Sequence, residues 1–170
     1  MGGTDVVRRH SYFRGRGAPP PVVFLAALSV AVCFGCTPSP PVSVAESDPT
    51  LLVHDVRRGG DDAQVDGYLR HLADADCFVL EPDAATGPDG MRNVAVWPPG
   101  TKVWRDGEQV VGVEVPGREP IAIGSRVVGG GGYANPSTSD LDLPEVSPDC
   151  LTGGGEFAML HTITSVTPPT

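Results

Sequence analysis

Clusters of Gly, Pro and Asp cut the second half of this chain into runs too short for helices. P-D-A-A-T-G-P-D-G fills 82–90. Pro98-Pro99-Gly100, Arg105-Asp106-Gly107-Glu108, Pro116-Gly117-Arg118-Glu119-Pro120 and the four glycines Gly129 to Gly132 follow. Gly supplies positive φ and Pro pre-sets φ for a turn, so each cluster is a turn with a mechanism. Between them stand short apolar runs at Cys77 to Leu80, Asn93 to Trp97, Thr101 to Trp104, Gln109 to Val115, Ile121 to Ile123, Arg126 to Val128 and Glu156 to Val166. Gln109 to Val115 alternates with the period of a strand: Val111, Val113 and Val115 face one way, Gly112 and Glu114 the other. Six to eight such strands predict an all-β fold. The thin core of one small domain favours a Greek-key, OB-like barrel of five to six strands over residues 61–166.

Two stretches are less direct. Val65, Tyr68, Leu69 and Leu72 have helical spacing, but Gly67 interrupts them. The preferred reading is a hairpin, with Ala73-Asp74-Ala75-Asp76 turning V-D-G-Y-L-R-H back along Cys77 to Glu81; a helix stays open. Ser147-Pro148-Asp149-Cys150-Leu151 fits one helical turn, with Ser147 capping and Pro148 at the first position. Residues 167–170 are expected to be a tail.

The N-terminal region has a different logic. Arg8, Arg9, Arg14 and Arg16 precede Val22 to Phe34, a run in which Ser29 alone is polar. That run is too short to span a bilayer, which needs about 20 apolar residues. A basic head followed by a short apolar run describes a secretory signal over 1–35. Arg8-Arg9 also invites twin-arginine export, although His10-Ser11 stand where apolar residues usually follow the pair. Phe34-Gly35-Cys36, followed by Thr37-Pro38-Ser39-Pro40-Pro41, resembles the lipobox of bacterial lipoproteins. The resemblance implies cleavage before Cys36 and lipid attachment at Cys36, with the membrane as a partner through that lipid. Cys33 stands where the family carries an aliphatic residue. It is the poorer lipid site itself, because Val32 precedes it where a small residue is required. Residues 36–60, rich in Pro, Ser and acidic groups, are expected to be a flexible tether, with Leu51-Leu52-Val53 either docking on the domain or beginning it.

Removing the signal sharpens charge and cysteine usage. Taking Arg8, Arg9, Arg14, Arg16 and Asp5 from the chain's 12 bases and 21 acids leaves 8 against 20, a net charge of −12. So acidic a domain does not hold a nucleic-acid backbone by counterion release. Of 4 cysteines, the lipobox resemblance implies that Cys33 is discarded and Cys36 carries lipid. Cys77 and Cys150 remain, and in an oxidising exterior they are expected to form one disulfide.

V-W-P-P-G-T at Val96 to Thr101, I-G-S-R-V-V-G-G-G-G-Y at Ile123 to Tyr133 and P-D-C-L at Pro148 to Leu151 resemble small secreted lipoproteins of high-GC Gram-positive bacteria. The resemblance implies an all-β domain and carries over no catalytic residue.

No catalytic or metal motif emerges from the residues. Gly129 to Gly132 lacks the Lys and hydroxyl of a phosphate loop and reads better as a strand end or a close backbone approach. Asp140 and Asp142 lack the rest of a Ca²⁺ loop. His54, His71 and His161 are scattered. Ser125 sits in no nucleophile elbow. The expectation is a non-catalytic extracytoplasmic module, without cofactor, that binds an envelope protein or a small ligand. A structural envelope component is the rival, and a small hydrolase the remote one. The expected binding surface is Trp97, Trp104, Gly130, Gly131, Tyr133 and Asn135, with the Pro82 to Arg92 loop beside it.

Overall fold

A computed structural model of the chain describes residues 42–55, 63–85 and 87–170. The segment expected to be a signal, Cys36, the expected tether as far as Pro41 and the Arg57 to Asp62 loop lie outside the described residues.

Ten strands run in order: β1 Val42–Ser47, β2 Thr50–His54, β3 Ala63–Leu72, β4 Cys77–Glu81, β5 Asn93–Trp97, β6 Lys102–Asp106, β7 Gln109–Glu114, β8 Ile121–Ala122, β9 Arg126–Ala134 and β10 Phe157–Thr167. Among the described residues one 3-10 turn spans Pro148–Cys150; Ser147 caps it, its side chain accepting from the Asp149 N–H. The fold is all-β, as the turn spacing predicts.

β3, β4 and β5 pair antiparallel in succession, and β9 returns to lie antiparallel beside β3. Spatial order β9-β3-β4-β5 is that of a Greek key. β10 then closes the circuit, antiparallel to β9 and parallel to β5. Five strands thus form a closed ring, which leaves the ring few unpaired edges. β2 pairs with the first residue of β4 and the last two of β5, and β1 pairs with β2. β6, β7 and β8 form a separate antiparallel sheet, inserted in the chain between β5 and β9.

Alternation sorts side chains into two cores. Val65 and Leu69, Phe78 and Leu80, Ala95 and Trp97, Val127, and Ala158 and Leu160 form one cluster drawn from all five ring strands, so it fills the ring interior. Val113 and Ile121 from the small sheet, with Val115 just beyond β7, join it. The intervening residues Cys77, Val79, Val94, Val96 and Phe157 face outwards and form a second cluster with Val42, Leu52 and Cys150, against which Leu141, Leu143 and Val146 pack. β4 and β5 are therefore buried on both faces, which explains their continuous apolar sequences. Cys77 and Cys150 are joined by a disulfide that pins the 3-10 turn to the start of β4. Trp97 is 0% exposed at the centre of the inner core. Trp97→Ala is expected to cost about 3–5 kcal/mol, read as a lower midpoint in urea unfolding.

Four expectations are corrected. The flexible tether does not reach residue 60: β1 and β2 occupy Val42–Ser47 and Thr50–His54, because Val42, Leu51 and Leu52 bury fully while Leu52 and Val53 extend the sheet at the end of β5. The described residues hold ten strands where six to eight were expected, because β1 and β2 come from the supposed tether and β6 to β8 build a second sheet; the five strands of the ring agree with the five to six expected of it. The glycine run is not a strand end: β9 runs through all four glycines, paired with β3 on one side and β10 on the other. Thr167 ends β10, so the tail begins at Pro168. The hairpin reading of residues 64–76 holds: β3 pairs with β4 from Tyr68↔Glu81 to Leu72↔Cys77, around the Ala73 to Asp76 turn.

Candidate functional site

In β3, Val65, Gly67 and Leu69 point into the ring, so Asp66, Tyr68 and Arg70 stand on its outer face. Two neighbours bring complementary groups to that face. The β3–β9 register sets Arg126 opposite Tyr68, and the β3–β4 register sets Glu81 there from the other side.

The charges interlock. Arg126 donates Nε to Asp66 Oδ1 at 2.9 Å and Nη2 to Asp66 Oδ2 at 2.7 Å, a bidentate pair. Glu81 is shared: Arg70 Nε reaches Oε2 at 3.0 Å and Arg92 Nε reaches Oε1 at 3.2 Å. The Arg70 guanidinium lies 5.8 Å from the centroid of the Tyr68 ring, within cation–π range. The hydrogen bonds from Arg126 hold the Asp66 carboxyl below the usual carboxylate range, against the opposing effect of partial burial.

The Asp66–Arg126 side chains remain 29% and 42% exposed, so solvent screens the pair. Asp66→Asn is expected to lower the thermal midpoint by less than about 3 °C at neutral pH. The sign follows from a depressed carboxyl. Its contribution is present above the ordinary carboxylate pKa and disappears as pH falls through the lower folded value. Wild type and variant should therefore converge in strong acid, which parallel thermal melts across acid pH would show.

Beside this ion-pair network lies a surface groove of about 380 Å³, lined by Tyr68, Arg70, Gly124, Arg126 and residues 167–170. The turn before β9 is hung on β3 by backbone bonds, Gly124 N–H to Leu69 O at 2.8 Å and Leu69 N–H to Ser125 O at 2.9 Å. Gly124 has φ +89°, and a Cβ there would stand 3.1 Å from Pro169 Cβ. Glycine thus supplies both the backbone conformation and the space in which the Pro168-Pro169 segment seats. No acidic side chain lines this groove, in a domain where acids outnumber bases by more than two to one. Chemically it offers guanidinium N–H groups, a phenol and threonine hydroxyls: a donor-rich setting for an anionic group.

A second recess, also of about 380 Å³, lies over the β3–β4 turn and is lined by His71, Ala73, Asp74, Arg92 and Asp149 among others. The His71 ring sits 5.3 Å from that of Phe78. Burial pushes its imidazole below the usual range; the Asp76 and Asp48 carboxylates oppose that shift and Arg105 reinforces it.

The surface expected from the sequence does not assemble. Trp97 is enclosed in the inner core, and its burial removes it from any surface. Trp104 is half-buried in β6, opposite Gly112 in the small sheet. Gly131 is buried and Gly130 half-buried within β9. Tyr133 is 38% exposed, and its hydroxyl donates to Gln64 O at 3.4 Å. Asn135 turns the next loop, its Oδ1 accepting from the Ser137 N–H. None of these six residues lines either space described above. The Pro82 to Arg92 loop lines a smaller groove of about 190 Å³ with Glu81. Ser125 is buried in the turn before β9, away from the His71 recess lining. His54 and His161 meet edge-on with ring centroids 5.0 Å apart. Among the described residues, no three His, Cys, Asp or Glu gather as metal ligands.

Sequence reasoning missed Tyr68, Arg70 and Arg126. Once V-D-G-Y-L-R is read as a strand, alternation alone puts Asp66, Tyr68 and Arg70 on one face. Nothing in the sequence brings Arg126 to them, because that depends on the β3–β9 register across a separation of 58 residues from Tyr68 to Arg126.

No known protein family, curated protein or solved structure matches this chain. The functional reading therefore rests on its own geometry.

Proposed function

We propose that this chain is a non-catalytic extracytoplasmic lipoprotein, exported by its N-terminal signal and anchored through lipid on Cys36, that engages a partner protein through its outer surface. The observation that carries the reading is the filled ring. Trp97, Phe78, Leu80, Leu69 and Leu160 occupy the interior where a small-ligand carrier would keep space, and the polar, donor-rich surface lies outside. Arg and Tyr clustered on one face are residue types that dominate protein–protein contacts.

The early start of the fold bears on the anchor. With β1 beginning at Val42, only residues 37–41 separate it from Cys36, a reach of about 20 Å when fully extended. An anchor so short suits a partner that is itself at the membrane surface. The rival reading, a structural component of an envelope complex, shares the filled interior and differs in needing no discrete contact site.

Two measurements test this. Intact mass of the chain extracted from membranes should show an acylated N-terminus at Cys36; an unmodified chain starting near Met1 would refute the anchoring. A photo-crosslinking residue at Thr167 should trap one defined protein in intact cells, while the same residue at Glu108 in the β6–β7 turn should not. Equal trapping at both positions would favour the structural reading.

A further inference from the structure

We infer that the groove between Tyr68, Arg70 and Arg126 binds the carboxylates of an extended acidic peptide segment. The inference rests on the partner-binding reading above and gives that partner a chemistry.

Charge distribution is the first argument. The chain from Thr37 onward carries −12, yet the side chains lining the groove include two arginines and none from Asp or Glu. Three arginines, Arg70, Arg92 and Arg126, gather on this face against three carboxylates, Asp66, Glu81 and Asp83, the last close enough to act on Arg126. The strip is therefore balanced in charge within a domain that is otherwise strongly negative.

Unspent donors are the second. A guanidinium has five N–H groups. Arg126 commits Nε and Nη2 to Asp66, which leaves Nη1. Arg70 commits Nε to Glu81, which leaves both Nη groups. Its Nη1 lies 3.7 Å from where a Cβ on Gly124 would stand, at the groove floor. Asp66 and Glu81 hold the two forks in place, so little side-chain freedom is lost when a ligand arrives. Planar guanidinium forks match carboxylate geometry better than a lysine would.

The type of anion is the third. A dense polyanion such as a nucleic acid or polyphosphate would find no local excess of positive charge here. It would also run onto a surface of −12. A peptide presenting one or two spaced carboxylates meets the guanidiniums without that penalty. Its apolar backbone carbons can rest on Tyr68 and on Pro168-Pro169, which Gly124 seats in place. The groove is open along the surface, which suits a segment of chain.

The test uses the full chain in detergent and a fluorescein-labelled peptide of alternating glycine and glutamate, read by anisotropy at low ionic strength. Saturable binding that weakens with added salt is expected. Arg70→Gln and Arg126→Gln should each weaken it by about tenfold or more, as expected for loss of a charged hydrogen bond. Arg126→Lys should fall between, since it keeps charge and loses the fork. Lys102→Gln, in a different groove beside Pro116, should leave binding unchanged. Arg70 is 43% exposed in its side chain, so Arg70→Gln serves as the folded comparison if Arg126→Gln proves unstable.

Failure of the peptide to bind, equal binding by the double glutamine variant, or equally tight binding of polyphosphate or free succinate would overturn the proposal. If the peptide fails while a crosslinker at Thr167 still traps a defined protein, the carboxylate chemistry is wrong and the partner-binding reading stands. If both fail, both fall.

Discussion

Replacing Cys77 and Cys150 together by alanine is expected to lower the unfolding free energy by about 4 kcal/mol, the loop-closure entropy of a bond that long. The bond spans a sequence separation of 73 residues, so the unfolded chain gains much freedom when it is absent. For a small domain that is a large share of the roughly 5–15 kcal/mol available. The effect has a local side as well. The segment from Asn135 to Cys150 contains little regular structure, yet Leu141, Leu143 and Val146 pack on the outer face of β4 and β5. The disulfide is the covalent tie that keeps those side chains there. The double variant should therefore unfold at lower urea and be cleaved sooner within 135–149 under limited proteolysis. Both cysteines are almost fully buried, at 2% and 0% exposure, so the variant is a cleaner test than adding reductant. An unchanged urea midpoint would show that the packing alone holds the segment.

Gly131→Ala is expected to cost more than about 3 kcal/mol, at or beyond the upper end for inserting one methyl group into a packed site. A Cβ at Gly131 would lie 1.8 Å from Met159 O, and one at Gly129 would lie 2.1 Å from Thr162 O. These are backbone oxygens and cannot rotate aside. β9 is paired with β3 and β10 at once, so moving either neighbour breaks part of the ring. Gly132→Ala is the internal comparison. Its Cβ would meet nothing nearer than Met159 Cε at 4.0 Å, and its effect should be within about 0.5 kcal/mol. Similar urea midpoints for the two variants would show that β10 yields where the geometry says it cannot.

The glycine run shows where sequence reading stops. Four glycines in a row suggest a place where a regular strand gives out, since glycine weakens strands and marks bends. Close approach was the correct half of that expectation. The missing half was that two neighbours press on one strand. Only the pairing reveals that the glycines sit in the ring, with Gly129 and Gly131 facing its interior.

The two ends of the domain make the same point from opposite directions. V-S-V-A-E-S-D-P looks like linker, because Ser, Pro and acidic residues dominate it. Its strand status comes from β1 pairing with β2 and from Glu46, whose Oε1 accepts the Val103 N–H of β6 at 2.7 Å. No local pattern announces a partner more than fifty positions away. T-P-P-T at the other end also looks like tail, and its place in the groove depends on the bare Gly124.

The sequence by itself determined what is local. Turn clusters cut the chain into strands, and alternation in Gln109 to Val115 set the two faces of one of them. Cys77 and Cys150 were expected to pair, and the structure joins them. All of these depend on spacing along the chain and on the geometry of the pleat. Only the tertiary structure decided the ring order, the fate of Trp97 and the meeting of Arg126 with Tyr68 and Arg70. Those depend on register between strands far apart in sequence, and register is set by how all five ring strands fill one interior together. That is why Trp97, expected at the surface, stands in the core, while the arginine groove, spread over β3, β9 and the end of β10, had no signature before the strands were paired.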